Sequence, residues 1–463
     1  MSNSKFCQQI NDMYEGIKEF SFTREKLRNL DLFVLDNSIR ETTVGQLRSH
    51  TIDNKWAIYN EVKRIGFKHI IVESFSHMTR IGDTFIRQLK EKGEDMSCMY
   101  AFTELVEKIH NDDIEKYKNE IPVGLQKCKE LGINNTIIEV DLLCPRNNYT
   151  KFTIEKICEL FYERFKWIRK HVSQDSRIFI NLRDLPDAIT QKPSRVFKLV
   201  NYVSSLNAKD RPFGIVFEDP KGNSLPGEIG VWTAAIRKEM DRCGFSEGKL
   251  LIHIHQRWGF QDLAQLEALS KGANGIWAGL CEEGAAIGHA SSTVTIMNLV
   301  SMGNTKVLDS FNCTKLRKAA QNVTKITTGR PPHPKQVVYG ERALDMVFGM
   351  EQFTPNKKQF NMAEFFGEQP VMRMSTLASP AMIVKRLQNL FGEDPQFTEE
   401  RAQRMKEVML EDLHANRKEE YMSAVGLAVL FRRSGGKLTE KMRDLVDKVQ
   451  SVFEKAILLF GKD

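Results

Sequence analysis

Two histidines one residue apart, His253 and His255, close an apolar run of strand length, KLLIHIHQRWG at 249–259. In a strand, residues i and i+2 face the same way, so both imidazoles project together from its C-terminal tip. Two imidazoles held like that suit a divalent ion with nitrogen ligands. A pair of hydrogen-bonded rim or core histidines has the same spacing, so the neighbouring groups must decide. Acids and arginines stand at comparable places along the chain. Asp36-Asn-Ser-Ile-Arg40-Glu41 follows one apolar run, and Glu73 ends another. Arg146 and Arg183 follow two more, with Asn181 and Arg183 on one strand face. Glu218-Asp219 ends a further run, and Gly279-Leu-Cys281-Glu-Glu-Gly284 follows the last, with His289 beyond it. A carboxylate and two imidazoles hold a cation with open positions for substrate oxygens. The ion polarises a carbonyl while an arginine neutralises developing negative charge. Acids, imidazoles and arginines on one rim therefore point to metal-assisted chemistry on an anionic carbonyl compound.

Such a rim requires strands that all run the same way. Strand-like apolar runs fall at 32–36, 69–73, 96–102, 136–142, 177–181, 213–217, 249–253 and 275–279. Helical patterns separate them at 54–66, 81–92, 105–132, 153–171, 194–206, 226–243 and 260–271, and another helix follows near 292–302. This alternation predicts an α/β fold, a (β/α)8 TIM barrel with its chemistry at the C-terminal ends of the strands. A doubly wound open sheet is the competitor, and the missing Gly-rich phosphate turn after the first strand argues against it. The predicted organisation is an N-terminal helical extension over 1–30 and a barrel over 31–305. A linker and post-barrel subdomain follow over 306–393, and a helical subdomain over 394–463. Pro331-Pro-His-Pro-Lys335 reads as a linker, and Ser379-Pro380 as a helix start ending near Gly392. Ser434-Gly-Gly-Lys437 breaks the last helical stretch.

The net charge of +7 is spread over helical faces among acids, which argues against a nucleic-acid partner and mildly favours anionic substrates. No run of 18 apolar residues occurs, so no membrane span is expected. The first residues lack the apolar core of a signal peptide, and the eight cysteines form no CxxC pair. Reduced thiols and a cytoplasmic location are the expectation.

Together these residues resemble the metal-dependent lyase and acyltransferase superfamily on a TIM barrel. It includes isopropylmalate, homocitrate, citramalate and Re-type citrate synthases and hydroxymethylglutaryl-CoA lyase. The family's first motif is an Asp, three residues, Arg and an acid, with a Gln shortly after. Here it reads Asp36-Asn-Ser-Ile-Arg40-Glu41-Thr-Thr-Val-Gly45-Gln46, and the Arg-Glu pair is the homocitrate synthase form. His253-x-His255 and the Gly-rich loop GLCEEGAAIGHASS are the other two motifs. The resemblance implies that Glu41, His253 and His255 bind the metal, with Ser292 a weak ligand where the lyase has an Asn. It implies that Arg40 stabilises an enolate and that Glu73 holds Arg40. The run from Gly340 to Glu351 lines up with a synthase segment that supplies catalytic groups to a neighbouring subunit, implying a homodimer with swapped C-terminal parts.

This chain also departs from the family. Met346 and Glu351 replace both histidines of that synthase segment, Gln256-Arg257 replaces an Asn-Asp, and extra residues precede Gln46. Glu351, raised by burial, or His289 would then carry the protons. Glu283 rather than Cys281 stands where the lyase uses a cysteine. Gln46, Arg146 and Arg183 are the expected substrate-binding residues. The implied activity is a Claisen-type condensation of acetyl-CoA with a 2-oxo acid, dependent on Mg, Mn or Zn and placed in carboxylic-acid and amino-acid biosynthesis. Aldol-type cleavage and a non-catalytic metal- or metabolite-binding role are the alternatives. Feedback through a leucine-sensing domain is not expected.

Overall fold

Eight parallel strands pair in sequence order and close on themselves. They are β1 (Phe33–Asp36), β2 (His69–Ser74), β3 (Met99–Glu104), β4 (Asn135–Val140), β5 (Ile178–Leu182), β6 (Gly214–Asp219), β7 (Lys249–Ile254) and β8 (Gly275–Ala278). β1 pairs with β2 on one side and with β8 on the other, Phe33 opposite Gly275, so the barrel has no open edge. The chain is described by a computed structural model at residues 8, 12–15, 23–41, 51–74, 80–111, 113–145, 147–284, 287–345, 360–368, 374–417, 420–421 and 423–460. Side chains at 41, 80, 81, 420 and 451–460 are outside that description.

The strands bury both faces, as a helix-wrapped parallel sheet must. Their inward residues change character along the barrel axis. Leu35, Ile71, Tyr100, Phe102, Ile137, Phe179, Val216, Leu251 and Trp277 form one buried cluster that plugs the interior. Two residues further along the same phase stand Glu73, Glu104, Glu139, Asn181, Glu218 and His253. The period of two therefore carries each strand from an apolar plug to a polar mouth. Helices such as Ile52–Ile65, Ile154–His171, Pro226–Arg242 and Ser292–Ser301 cover the outside. Thr51, Thr153 and Ser291 cap three of them through their hydroxyls.

One expected element divides. In place of a single helix over 105–132 there are two, Ile114–Asn119 and Val123–Leu131. Pro122 forces the residue before it out of the helical region and stands at the N-cap of the second helix. Buried Arg164 then binds the carbonyls of Leu105, Tyr117, Lys118 and Glu120 that a continuous helix would have used. Among the described residues of 1–30, 12–15 and 23–29 are helical.

The chain separates into two compact units at Gly340/Glu341. In the first, the helix Leu316–Thr328 packs on Ile52–Ile65, with Asn322 donating to Glu61 at 2.8 Å, and Tyr339 accepts from the Glu282 N–H at 3.0 Å. In the second, Pro380–Phe391, Glu399–His414 and Ala424–Arg433 enclose Ile383, Leu387, Met405, Leu427 and Phe431. Ser379 and Gly392 cap the first of these helices as their residue types predict. A short strand pair, Met374–Ser375 with Glu420–Tyr421, is an addition that two residues per strand do not signal in sequence.

Phe179 lies wholly buried, 5.9 Å from Tyr100 and 5.4 Å from Phe213 between ring centroids. Phe179→Ala should lose about 3–5 kcal/mol, read as a lower urea midpoint at unchanged slope. A loss below about 1 kcal/mol would show that the plug repacks instead.

Candidate metal centre

His253 ends the inward phase of β7, and its position is fixed twice. The ring stacks on Trp277 at 4.6 Å between centroids, and Nδ1 lies 2.9 Å from the Trp277 carbonyl. A carbonyl only accepts, so in the neutral ring Nδ1 carries the proton and Nε2 keeps its lone pair. Burial holds His253 well below the usual histidine range, which keeps the ring neutral. His255, two residues on, places its ring centroid 4.7 Å from that of His253. Its Nε2 lies 3.5 Å from Oε1 of Glu218, while Nδ1 is buried without a partner among the described residues.

Glu218 is the direct register neighbour of His253 across β6 and β7. Its other oxygen accepts from Asn181 Nδ2 at 2.5 Å. Burial alone would raise this carboxyl, but the His255 hydrogen bond, the two imidazoles and Asn181 hold it at about 2. Ligand atoms of Glu218, His253 and His255 all lie within 4.8 Å of one another, and all three residues are buried. Two imidazoles, a carboxylate and an unused ring nitrogen are a donor set that fits a borderline divalent ion.

Beside this trio stand more acids than cations. Arg183 donates from Nε and Nη2 to Asp141 at 2.9 and 2.6 Å, from Nη1 to Glu104 and Glu139 at 2.8 and 3.0 Å, and from Nη2 to Glu104 at 3.3 Å. Those bonds use all five guanidinium hydrogens. Every donor of Arg183, an expected substrate-binding residue, serves a carboxylate of the chain in this structure. Arg40 lies with its guanidinium carbon 3.9 Å from the Phe102 ring centroid. Burial lowers it to about 10, against the attraction of Glu139, Glu218 and Glu73, so it remains a cation at neutral pH. Glu139 is pushed up to about 7 by burial, with Glu104 and Glu218 adding to the shift and Arg183 opposing it. With Glu104, Glu139, Asp141 and Glu218 ionised, this group carries two more negative charges than Arg40 and Arg183 balance. Protonation of Glu139 relieves one of them, and a divalent cation would relieve both.

A second set of acids holds the rim rather than lining it. Asp36 accepts from the N–H and the hydroxyl of Ser38 at 3.1 and 2.9 Å, and Ser38 Oγ in turn accepts from the Leu280 N–H at 2.9 Å. Asp184 accepts from the N–H groups of Leu142, Leu143 and Cys144, each at 2.7 Å, and Asp219 from Lys221, Gly222 and Ser224. An aspartate side chain is short enough to bind backbone close by, which suits it to bracing turns. The leading Asp of the first motif therefore sets the turn that presents Arg40.

The other predicted site residues are distributed as follows. Glu73 is buried, accepts from the Ser74 N–H at 2.9 Å and lies 3.9 Å from Nζ of buried Lys55, a lysine not singled out by the sequence. Burial raises it, and its carboxylate fills the space a Cβ on Gly82 would occupy. Ser292 opens a helix and donates its hydroxyl to the Gly279 carbonyl at 2.9 Å. His289 lies 5.8 Å from His253 between ring centroids. Glu41 ends a helical turn, but its side chain, like Gln46, Arg146 and Glu351, lies outside the described residues. Sequence reasoning did not select Glu218, Glu104, Glu139 and Asp141 as site residues. The signal for them was the phase of alternation, since each follows an inward apolar residue by two or four positions.

The sequence matches no protein-family model and none of the curated proteins. Among solved structures, an HMG-CoA lyase from Acinetobacter baumannii, in complex with coenzyme A and 3-methylmalate, has a TM-score of 0.48 and 15% identity over 67% of this chain and 94% of that one. Hydroxymethylglutaryl-CoA lyase from Pseudomonas aeruginosa gives 0.48 and 13% over 65% and 94%. The carboxyl transferase domain of Rhizobium etli pyruvate carboxylase with pyruvate gives 0.45 and 10% over 91% and 65%. The barrel rests on its own strand pairing and not on these neighbours. No described helix is long and apolar enough to cross a membrane.

Arg183→Leu keeps an apolar side chain there and removes the charge that three buried carboxylates share. The expected loss is about 3–5 kcal/mol at pH 8. An acid whose folded pKa stands above its unfolded value of about 4.3 weakens the fold at higher pH and less so as pH falls. The deficit should therefore shrink between pH 8 and pH 5 in chemical denaturation. An equal deficit at both would show that Arg183 acts through packing rather than charge.

Proposed function

We propose that this protein is a divalent-metal-dependent enzyme forming or breaking a carbon–carbon bond beside a carbonyl, with a 2-oxo acid and an acyl-CoA as substrates. The particular reaction proposed is the condensation of acetyl-CoA with a 2-oxo acid. The observation that carries the reading is the buried convergence of Glu218, His253 and His255 at the C-terminal mouth of a closed barrel. Its sequence motifs, which resemble those of the synthases and lyases, support the choice of reaction.

In this reading Glu218, His253 and His255 hold the ion, with Glu41 from the first motif as a further proposed ligand. The ion, when bound, supplies Lewis-acid polarisation of the 2-oxo group. Arg40 presents a positive charge where negative charge develops on oxygen, and its contact with the Phe102 ring face positions that charge. Glu351 is the proposed base. A proton leaves the acetyl methyl, and that carbon bonds to C2 of the oxo acid, whose oxygen takes up a proton. Water then cleaves the thioester and releases the CoA thiol. A homodimer and a cytoplasmic location belong to the same proposal.

The test is release of CoA thiol by the purified protein with Mg²⁺, Mn²⁺ or Zn²⁺ across a panel of 2-oxo acids, beside a His253→Ala/His255→Ala variant. Release with one oxo acid, reduced at least about 100-fold in the variant, is the expected result. Carbon–carbon cleavage of a 3-hydroxyacyl-CoA into acetyl-CoA and a carbonyl fragment, without a second substrate, would replace condensation by the lyase reaction. Silence in both assays from metal-loaded protein would overturn the enzymatic reading.

A further inference from the structure

We propose that His289 is a third imidazole of the metal centre, in the role that sequence resemblance gives to Ser292, so that the site selects Zn²⁺- or Co²⁺-like ions over Mg²⁺. The inference rests on the metal centre proposed above and concerns which residues complete it.

The geometry begins with the backbone. After β8 the chain turns back and pairs His289 with His255 in an antiparallel bridge. The bonds flanking that pair are Ala290 N–H to the Ile254 carbonyl and Gln256 N–H to the Gly288 carbonyl, each at 2.9 Å. They make it a non-hydrogen-bonded pair, the kind whose side chains approach most closely and share one face. His253 shares that face by the period of two. Three imidazoles are thus brought to one side by pairing alone. Gly288 permits the approach: its φ is +82°, and a Cβ there would come within 2.6 Å of the Gln256 amide and 2.8 Å of the Glu282 carbonyl.

The side chains set His289 beside the trio, outside the 4.8 Å span of its ligand atoms. His289 is 1% exposed, and its Nδ1 lies 3.1 Å from the Ala290 carbonyl, which assigns the ring proton to Nδ1. Nε2 therefore offers a lone pair, and it is buried without a partner among the described residues. His253 is arranged in the same way, with Nδ1 on a carbonyl and the lone pair therefore on Nε2. An ion about 2.1 Å from each nitrogen separates two ligating rings by roughly 4.5–6.5 Å between centroids. The observed 4.7 Å for His253–His255 and 5.8 Å for His253–His289 both fall in that range. Ser292, by contrast, has its hydroxyl hydrogen on Gly279 and adds no charge. Three imidazoles with one carboxylate favour borderline ions, because Mg²⁺ prefers all-oxygen shells and retains water.

The experiment titrates metal-free protein with Zn²⁺, Co²⁺ and Mg²⁺ by calorimetry and counts imidazoles around bound Zn²⁺ by X-ray absorption. The expected results are three imidazoles in the wild type and affinity for Zn²⁺ at least about 100-fold weaker in His289→Ala. Zn²⁺ should bind the wild type more tightly than Mg²⁺. Two imidazoles in the wild type, or unchanged Zn²⁺ affinity in His289→Ala, would overturn the inference. Unchanged affinity with lost turnover would assign His289 to proton transfer instead. Should His289→Ala fail to fold, the imidazole count of the wild type still decides. Wild-type protein that binds none of the three ions would sink the metal centre itself, a different outcome from the failure of His289 alone.

Discussion

Four carboxylates crowded inside a closed barrel are the constraint on which the mouth of this protein depends. Two like charges about 4 Å apart repel by roughly 4 kcal/mol at the effective dielectric of a protein surface, and by more when dry. Glu104, Glu139 and Asp141 are held together by one guanidinium that distributes its five hydrogens among them. Asn181 passes that order on to Glu218 by bonding both it and Glu139. Glu218 in turn faces His255. The electrostatic balance of one wall thus positions Glu218 and His255 on the other, and excess negative charge favours a cation there.

The barrel was legible because eight apolar runs recur with helical patterns between them, a rhythm set by burial of both strand faces. His253 and His255 were legible because their spacing is itself the period of a strand. The same period contained Glu218, which stands two residues beyond Val216 just as His253 stands two beyond Leu251. Reading where runs end, rather than which phase faces inward, treated Glu218 as one rim acid among many.

Other features were not legible for physical reasons. The chemistry of Arg183 is the same whether its partners are substrate or protein, and only the strand register brings Glu104, Glu139 and Asp141 to it. The bridge between His289 and His255 is a tertiary event between segments whose sequences carry no pairing signal. The division of 105–132 follows from Pro122, visible in sequence, and from Arg164, whose hold on four carbonyls is not. Glu and Asp also divide by reach: the longer acids line the interior, and Asp36, Asp184 and Asp219 brace the turns beside them.

The seam where β1 meets β8 has a temporal consequence. Ser38 and Leu280, which bond across it, lie 242 positions apart. Contacts so distant in sequence form late, since a long loop must close before they are rewarded. Glu218, His253 and His255 lie on neighbouring strands and meet as soon as β6 and β7 pair. Arg40 reaches them only when the first strand docks against the last. The Glu218, His253 and His255 group therefore needs only the pairing of two adjacent strands, whereas the approach of Arg40 to it needs the whole barrel to close.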